Sequence, residues 1–311
     1  MTDVLRTLLR GISQIFFLRS SPAGLLVLVA VALGHPGAAA LMALGCAVQS
    51  LAAWAAGLRE PVRDGLMGYN GALVGAAAPL VTHGVDATAL AIGTTAAGAL
   101  ACVPAHLLLE RLFASRPLHR FGLPVVTAPF CLVAGLLYGA LQPLIGAAPL
   151  TSSPEPVSGT VLGIVNAFAE VVLADGLLPG LVILAGLFAG AASAGLWGLF
   201  GAAVALGIGL AITGDMAAMS TGLNGYSAVL VAIAVGSVFS PGRGIAQRLL
   251  WALLGVAAAV VLRWALEPLP VPTYTWPFVL SLWAVLIGRG MLARGSEPPA
   301  KEPRALGADQ I

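Results

Sequence analysis

Charge is the scarcest property of this 311-residue chain: Asp, Glu, Lys and Arg together make up 9% of it, against 59% hydrophobic residues. A soluble domain carries about 25% charged residues, so a water-facing globular surface is excluded and an integral membrane protein is indicated. Cysteine is rarer still. The three present, Cys46, Cys102 and Cys131, all lie inside apolar segments, which argues against a disulfide framework or metal cluster and reads as small-residue packing. The four histidines, His35, His83, His106 and His119, are scattered at segment ends or connections without ligand spacing and are assigned to interfaces. No His–carboxylate cluster and no nucleophile beside a base is visible, so an enzyme is not expected, nor a cofactor, a metal or a nucleic-acid partner. Arg6, Arg10 and Arg19 interrupt the N-terminal apolar stretch too often for a cleavable signal core.

What the chain does have is apolar length. Measured against the roughly 20 residues needed per bilayer crossing, ten candidate spans lie near 22–34, 38–56, 67–83, 87–109, 124–142, 178–193, 195–213, 220–239, 247–266 and 275–291. Two shorter stretches, 3–18 and 158–174, precede the first span of each half and run into small-residue or proline turns (Ser20-Ser21-Pro22; Asp175-Gly176 with Pro179). They read as re-entrant half-helices, which membranes tolerate where protein or a water-filled cavity surrounds the backbone.

Cation placement orients these spans. With the N-terminus inside, the connections 57–66, 110–123 and 240–246 and the tail after 291 carry Arg59, Arg63, Arg111, Arg116, Arg120, Arg243, Arg294, Lys301 and Arg304. Arg248, Arg289, Arg6, Arg10 and Arg19 fall on the same side. Only Arg263 falls opposite, together with Asp86, Glu155, Asp215 and Glu267. This is the asymmetry of the positive-inside rule, and it places both termini in the cytoplasm. Five spans per half is an odd number, so the second half enters the membrane inverted. The expected organisation is a first repeat over 1–150, a second over 151–293 and a polar, disordered cytoplasmic tail over 294–311.

Sequence recurrence supports the duplication. Leu123-Pro-Val-Val-Thr127-Ala-Pro-Phe130 returns as Val271-Pro-Thr-Tyr-Thr275-Trp-Pro-Phe278, 148 residues later. Gly68-Tyr69-Asn70-Gly71-Ala72-Leu73-Val74 returns as Gly225-Tyr226-Ser227-Ala228-Val229-Leu230-Val231, 157 residues later. Duplicated units interrupted by Pro and Gly are how many transporters build a site near the bilayer midplane.

Polar groups at membrane depth are few, and each is a site candidate. Glu170, near the end of the second half-helix, matches Gln14 in the first, 156 residues earlier. Glu170 either snorkels or pairs with an arginine, or it shares an axial position with Gln14. Thr127 and Thr275 stand two residues before prolines. They either repair carbonyls freed near a proline or meet across a central constriction. Tyr69 and Tyr226, beside Leu73 and Leu230, are either interfacial belt residues or pore lining, as are Phe16 and Phe17 after Gln14.

The runs Leu9-Arg-Gly-Ile-Ser-Gln-Ile-Phe-Phe, Gly68-Tyr-Asn-Gly-Ala-Leu-Val-Gly, Leu123-Pro-Val-Val-Thr-Ala-Pro-Phe and Pro272-Thr-Tyr-Thr-Trp-Pro-Phe, in this order over residues 5 to 291, resemble the urea transporter family. The resemblance implies an all-α polytopic membrane protein of two inverted repeats. Each repeat has five transmembrane helices and one re-entrant pore half-helix, and the pore runs between the repeats. It further implies a homotrimer in a bacterial inner membrane, in contact with lipid, passing urea down its gradient through a narrow filter in each protomer. Gln14 and Glu170 would accept urea N–H bonds, and Thr127 and Thr275 would form the middle site. Phe17, Tyr69 and Tyr226 would sandwich the planar solute, with Leu73 and Leu230 narrowing the slot. The chain departs from the family pattern where many members have an Asn-Pro turn after each pore helix, in having no aromatic between 171 and 185, and in Ser227 opposite Asn70. A channel for another small neutral solute (a short amide or ammonia) and an ion-coupled transporter using Glu170 are the competing readings.

Overall fold

The computed structural model describes residues 2–82, 88–145 and 159–295. His83, Asp86, Glu155, Lys301 and Arg304 lie outside the described residues, as does the tail expected to be disordered, except that Arg294 and Gly295 close the last helix. Every element among the described residues is helical. The first half comprises α1 (Thr2–Ser13) with a 3-10 turn Gln14–Phe16, α2 (Ser21–Gly34), α3 (Pro36–Ala55), α4 (Arg59–Arg63), α5 (Tyr69–Val81), α6 (Thr88–Phe113) and α7 (Ala128–Ile145). The second comprises α8 (Thr160–Glu170), α9 (Leu177–Gly190), α10 (Ala192–Thr213), α11 (Met216–Ser220), α12 (Tyr226–Ile233) continued by a π segment Ala234–Val238, α13 (Ile245–Leu266) and α14 (Trp276–Gly295).

Local chemistry sets the breaks. Ser20 caps α2 by accepting from the Ala23 amide at 3.3 Å, with Pro22 in the first turn, where its missing N–H costs nothing. The result is a 76° bend between the α1 segment and α2. His35, extended at φ −140° and followed by Pro36, separates α2 from α3. Ala191, extended at φ −162°, makes the corresponding break between α9 and α10 without a proline.

The ten expected spans all appear as apolar helices, but their lengths differ. Among the described residues, α3, α6, α10 and α13 are long and apolar enough to cross a bilayer alone, and the bent α1–α2 pair passes that test jointly. The stretches read as 67–83 and 220–239 begin later than expected, because Gly68 and Gly225 lie outside the helices that Tyr69 and Tyr226 start. At about 1.5 Å per residue, the 13 residues of α5 reach well short of the hydrocarbon thickness.

Element by element, α8 to α14 repeat the order of α1 to α7, and the packing repeats as well. α3 packs on α5 as α10 does on α12; α1 packs on α2 as α8 does on α9; α5 packs on α6 as α12 does on α13. Between the halves, α2 packs against α9 and α7 against α14. Each of these pairs joins an element to its own counterpart, which is how contacts across a two-fold axis arrange themselves.

Two glycines set how closely α1 docks on α2 and α8 on α9. A Cβ on Gly24 of α2 would lie 1.8 Å from the Leu9 carbonyl oxygen, and one on Gly180 of α9 would lie 2.3 Å from that of Val165. Only glycine permits so close a crossing, the general device of membrane helix packing. Gly24→Ala and Gly180→Ala are each expected to destabilise the protein by about 1–3 kcal/mol, read as a lowered thermal midpoint in detergent. Gly34→Ala, with nothing within 4 Å of the added carbon, is expected to change stability by less than about 1 kcal/mol.

Candidate functional site

Thr127 and Thr275 meet. Their side-chain oxygens are 2.6 Å apart across 148 residues of chain, and both residues are buried. Each threonine is delivered by a loop whose preceding residue has a left-handed backbone: Val126 at φ 43° and Tyr274 at φ 42°. For a β-branched or bulky residue this conformation is uncommon and strained, by about 1–3 kcal/mol, and persists only when its surroundings impose it.

The surroundings are phenols. Tyr69 Oη donates to the Val126 carbonyl at 2.8 Å, and Tyr226 Oη donates to the Tyr274 carbonyl. Asn70 reinforces the first loop, its Nδ2 donating to the same Val126 carbonyl at 3.3 Å and its Oδ1 accepting from the Phe130 amide at 3.1 Å. Ser227, the counterpart of Asn70, is too short for this, and its hydroxyl has no partner among the described residues. From the opposite half, Trp283 Nε1 donates to the Pro124 carbonyl at 2.8 Å.

The ends of the half-helices carry a second matched pair of left-handed residues, Phe17 at φ 62° and Leu173 at φ 59°. Phe17 packs edge-on against Phe239 (6.1 Å) and Phe278 (5.9 Å), both from the second half. Leu173 is the counterpart of Phe17, so an aliphatic side chain stands there in place of an aromatic one. Gln14 Nε2 donates to the Asp64 carbonyl at 2.8 Å, which leaves the amide oxygen as the end able to receive a donor. The turn carrying Asp64 presses directly on α1. Gly65, at φ +83°, has no room for a Cβ against the Arg10 backbone, and Gly222, at φ +82°, repeats this against Asn166.

A cavity of roughly 300 Å³ is lined by residues that include half-exposed Glu110, Gln14, Phe17, His106, Tyr69 and buried Thr127. Four of the nine residues singled out in the sequence, Gln14, Phe17, Tyr69 and Thr127, line it. Thr275 touches it through Thr127, and Tyr226 braces the opposite loop. Leu73 and Leu230 are fully buried in the main core, and Glu170 lies at the far end of α8 beside Asp175 and within electrostatic range of Arg263.

Comparison with known sequences gives this architecture its context. The model of the urea transporter family matches residues 5–290. The chain belongs to the urea transporter family. It is 25% identical to urea transporter 1 of Capra hircus, over 90% of this chain and 75% of that protein. Against urea transporter 1 of Rattus norvegicus it is 23% identical, over 90% of this chain and 76% of the other.

Two readings of scarce residues are corrected by the urea transporter fold. Cys131 is not merely a packing residue: its Sγ lies 3.1 Å from Thr275 Oγ1, within the threonine pair. Its counterpart in the second half is Val279, so the pair is chemically lopsided. His106 does not present its ring to the headgroups. It lies inside α6, is buried, and faces Glu110 with Nε2 3.2 Å from Oε1. The signal was available in the sequence. His106 and Glu110 recur 157 residues later as Arg263 and Glu267 on α13, an ion pair at 3.9 Å, at the offset already seen for Tyr69 and Tyr226.

The bracing makes an unequal prediction. In Tyr226→Phe the Tyr274 carbonyl loses its phenol donor, with an expected cost of about 1–3 kcal/mol. Tyr69→Phe leaves Asn70 on the Val126 carbonyl and is expected to cost only about 0.5–1.5 kcal/mol. Thermal midpoints of the two variants in detergent check the order.

Proposed function

We propose that this chain conducts urea passively, each protomer carrying its own path, which passes from the cavity beneath Gln14 through the Thr127–Thr275 contact to the corresponding region beside Glu170. The observation that carries the reading is that meeting of symmetry-related hydroxyls beside a mostly apolar cavity to which Gln14 and Thr127 contribute polar groups. The two halves, 1–150 and 151–293, are inverted repeats with the path between them. Both termini are cytoplasmic, in keeping with the arginines of the 57–66 and 110–123 connections, beside which the cavity lies. The protein works as a homotrimer in a bacterial inner membrane, with lipid covering exposed side chains such as Leu136 and Leu108.

The chemistry suits urea. Urea is flat and neutral, with four N–H donors and one acceptor oxygen. Burying an amide-like group without hydrogen bonds costs roughly 2–7 kcal/mol, so the path supplies oxygens: the Gln14 amide, the threonine hydroxyls and the Glu170 carboxyl. Each replacement bond nets only about 0.5–1.5 kcal/mol, shallow enough to release the solute. Phe17, Tyr69 and Tyr226 supply flat faces, and Leu73 and Leu230 back the slot from the core. An ion stripped of its water finds no comparable repayment there.

The test is urea flux into proteoliposomes with and without imposed proton or sodium gradients. Fast flux indifferent to both gradients, and reduced about tenfold or more in the Thr127→Val/Thr275→Val double variant, which deletes two hydrogen-bonding hydroxyls, is the expected result. Flux that appears only with an ion gradient would replace this reading with coupled transport through Glu170. Preference for another amide or ammonia in competition would replace the permeant.

A further inference from the structure

The second half breaks its helical pattern at a place where the first half does not. α12 runs into the π segment Ala234–Val238, and the Phe239 amide donates to the Ala234 carbonyl at 2.8 Å, five residues back rather than four. At the matching place in the first half, 157 residues earlier, the Thr82 amide donates to the Ala78 carbonyl at 2.9 Å, an ordinary α-helical bond. Gly236 lies close against the Trp197 indole, where an added Cβ would come within 2.1 Å of the ring. Two carbonyls of the widened turn are taken up by side chains: Val235 receives the Ser240 hydroxyl, and Gly236 receives Arg248 Nη1 at 3.5 Å. Arg289 Nη1 holds Ser240 in turn, at 3.2 Å. A π insertion re-aims the residues after it and is frequent at functional sites. What this one delivers is Phe239.

Phe239 and Phe17 both keep part of their surface and line the cavity that Gln14 lines. Their rings meet at 6.1 Å and 88°, two flat walls at a right angle. An aromatic face is rigid and electron-rich, so it favours a flat solute bearing N–H groups over a tetrahedral one. We propose that Phe239 is a further solute-contacting residue, which sets selectivity for planar amides at the Gln14 end of the path. The inference rests on the transport reading and deepens it: Phe17 supplies one aromatic wall from the first half, and Phe239 supplies the other from the second. The counterparts of Phe17 and Phe239 are Leu173 and Thr82, and the Thr82 hydroxyl is spent on the Ala78 carbonyl at 2.9 Å. Discrimination by flatness therefore belongs to the Gln14 end.

The test is protein-dependent permeability of proteoliposomes to urea and to glycerol, a neutral solute that is not flat, for wild type, Phe239→Leu and Phe239→Tyr. Leucine keeps the position apolar and removes the flat face; tyrosine keeps the face. The expected result is a urea-to-glycerol permeability ratio about two- to tenfold below wild type in the Leu variant, the equivalent of one aromatic contact, and within about twofold of wild type in the Tyr variant. A role in packing alone would lower both fluxes together, so an unchanged ratio in the Leu variant would overturn the proposal. An equal fall of the ratio in both variants would overturn it too, because the ring face would then not be what matters. Should Phe239→Leu fail to give monodisperse protein, Phe239→Met supplies the same comparison. Absence of urea flux in the wild type would overturn the transport reading and this inference with it; wild-type urea flux with a ratio unmoved by the variants overturns only this one.

Discussion

The architecture depends on one contact, the 2.6 Å approach of the Thr127 and Thr275 hydroxyls. Bringing two loop residues from different halves to one point requires each loop to turn sharply just before its threonine. Val126 and Tyr274 make those turns in a backbone region that side chains disfavour. The strain is held by phenol-to-carbonyl bonds from Tyr69 and Tyr226, the first residues of α5 and α12. Those helices are short, and their first turns sit deep in the protein, which places a phenol where a longer membrane span would not. The shortness of α5 and α12 and the strain at the threonines are therefore two sides of one construction.

Backbone proximity carries the rest. Gly24 and Gly180 let the half-helices approach α2 and α9 to contact distance, and Gly65 and Gly222 let the following turns rest on them. These approaches set where Gln14 and Glu170 end up. With α2 against α9 and α7 against α14, the two halves are held directly on one another, so a small displacement at one crossing would move the walls of the proposed path relative to each other. The pairing is imperfect where chemistry differs. Asn70 against Ser227, Phe17 against Leu173, Cys131 against Val279 and His106 against Arg263 make the two ends unlike in hydrogen bonding and in stacking.

Much of this was legible in the chain. Scarcity of charge announced the membrane, and Pro-x-x-Thr-x-Pro recurring 148 residues on marked the two loops that meet. The Gln14–Glu170 correspondence marked the half-helix ends. Helix lengths were less legible, because hydropathy runs through Gly68 and Gly225 without registering that the helices start at the next residue. The bracing role of the tyrosines was hidden, since a phenol beside a glycine reads equally as stacking surface, belt residue or hydrogen-bond donor. His106 was hidden because its counterpart is an arginine, and the match shows in the shared glutamate four residues on.

The measurement that bears most directly on the account is a reversible crosslink at the constriction. In a Cys131→Ser background, Thr127→Cys and Thr275→Cys put two sulfurs where oxygens now stand 2.6 Å apart, close to the ~2.05 Å of an S–S bond. The account predicts that oxidation forms the bridge within one chain, stops urea flux, and that reduction restores it. A bridge formed in full with undiminished flux would contradict it, because the path would then run elsewhere.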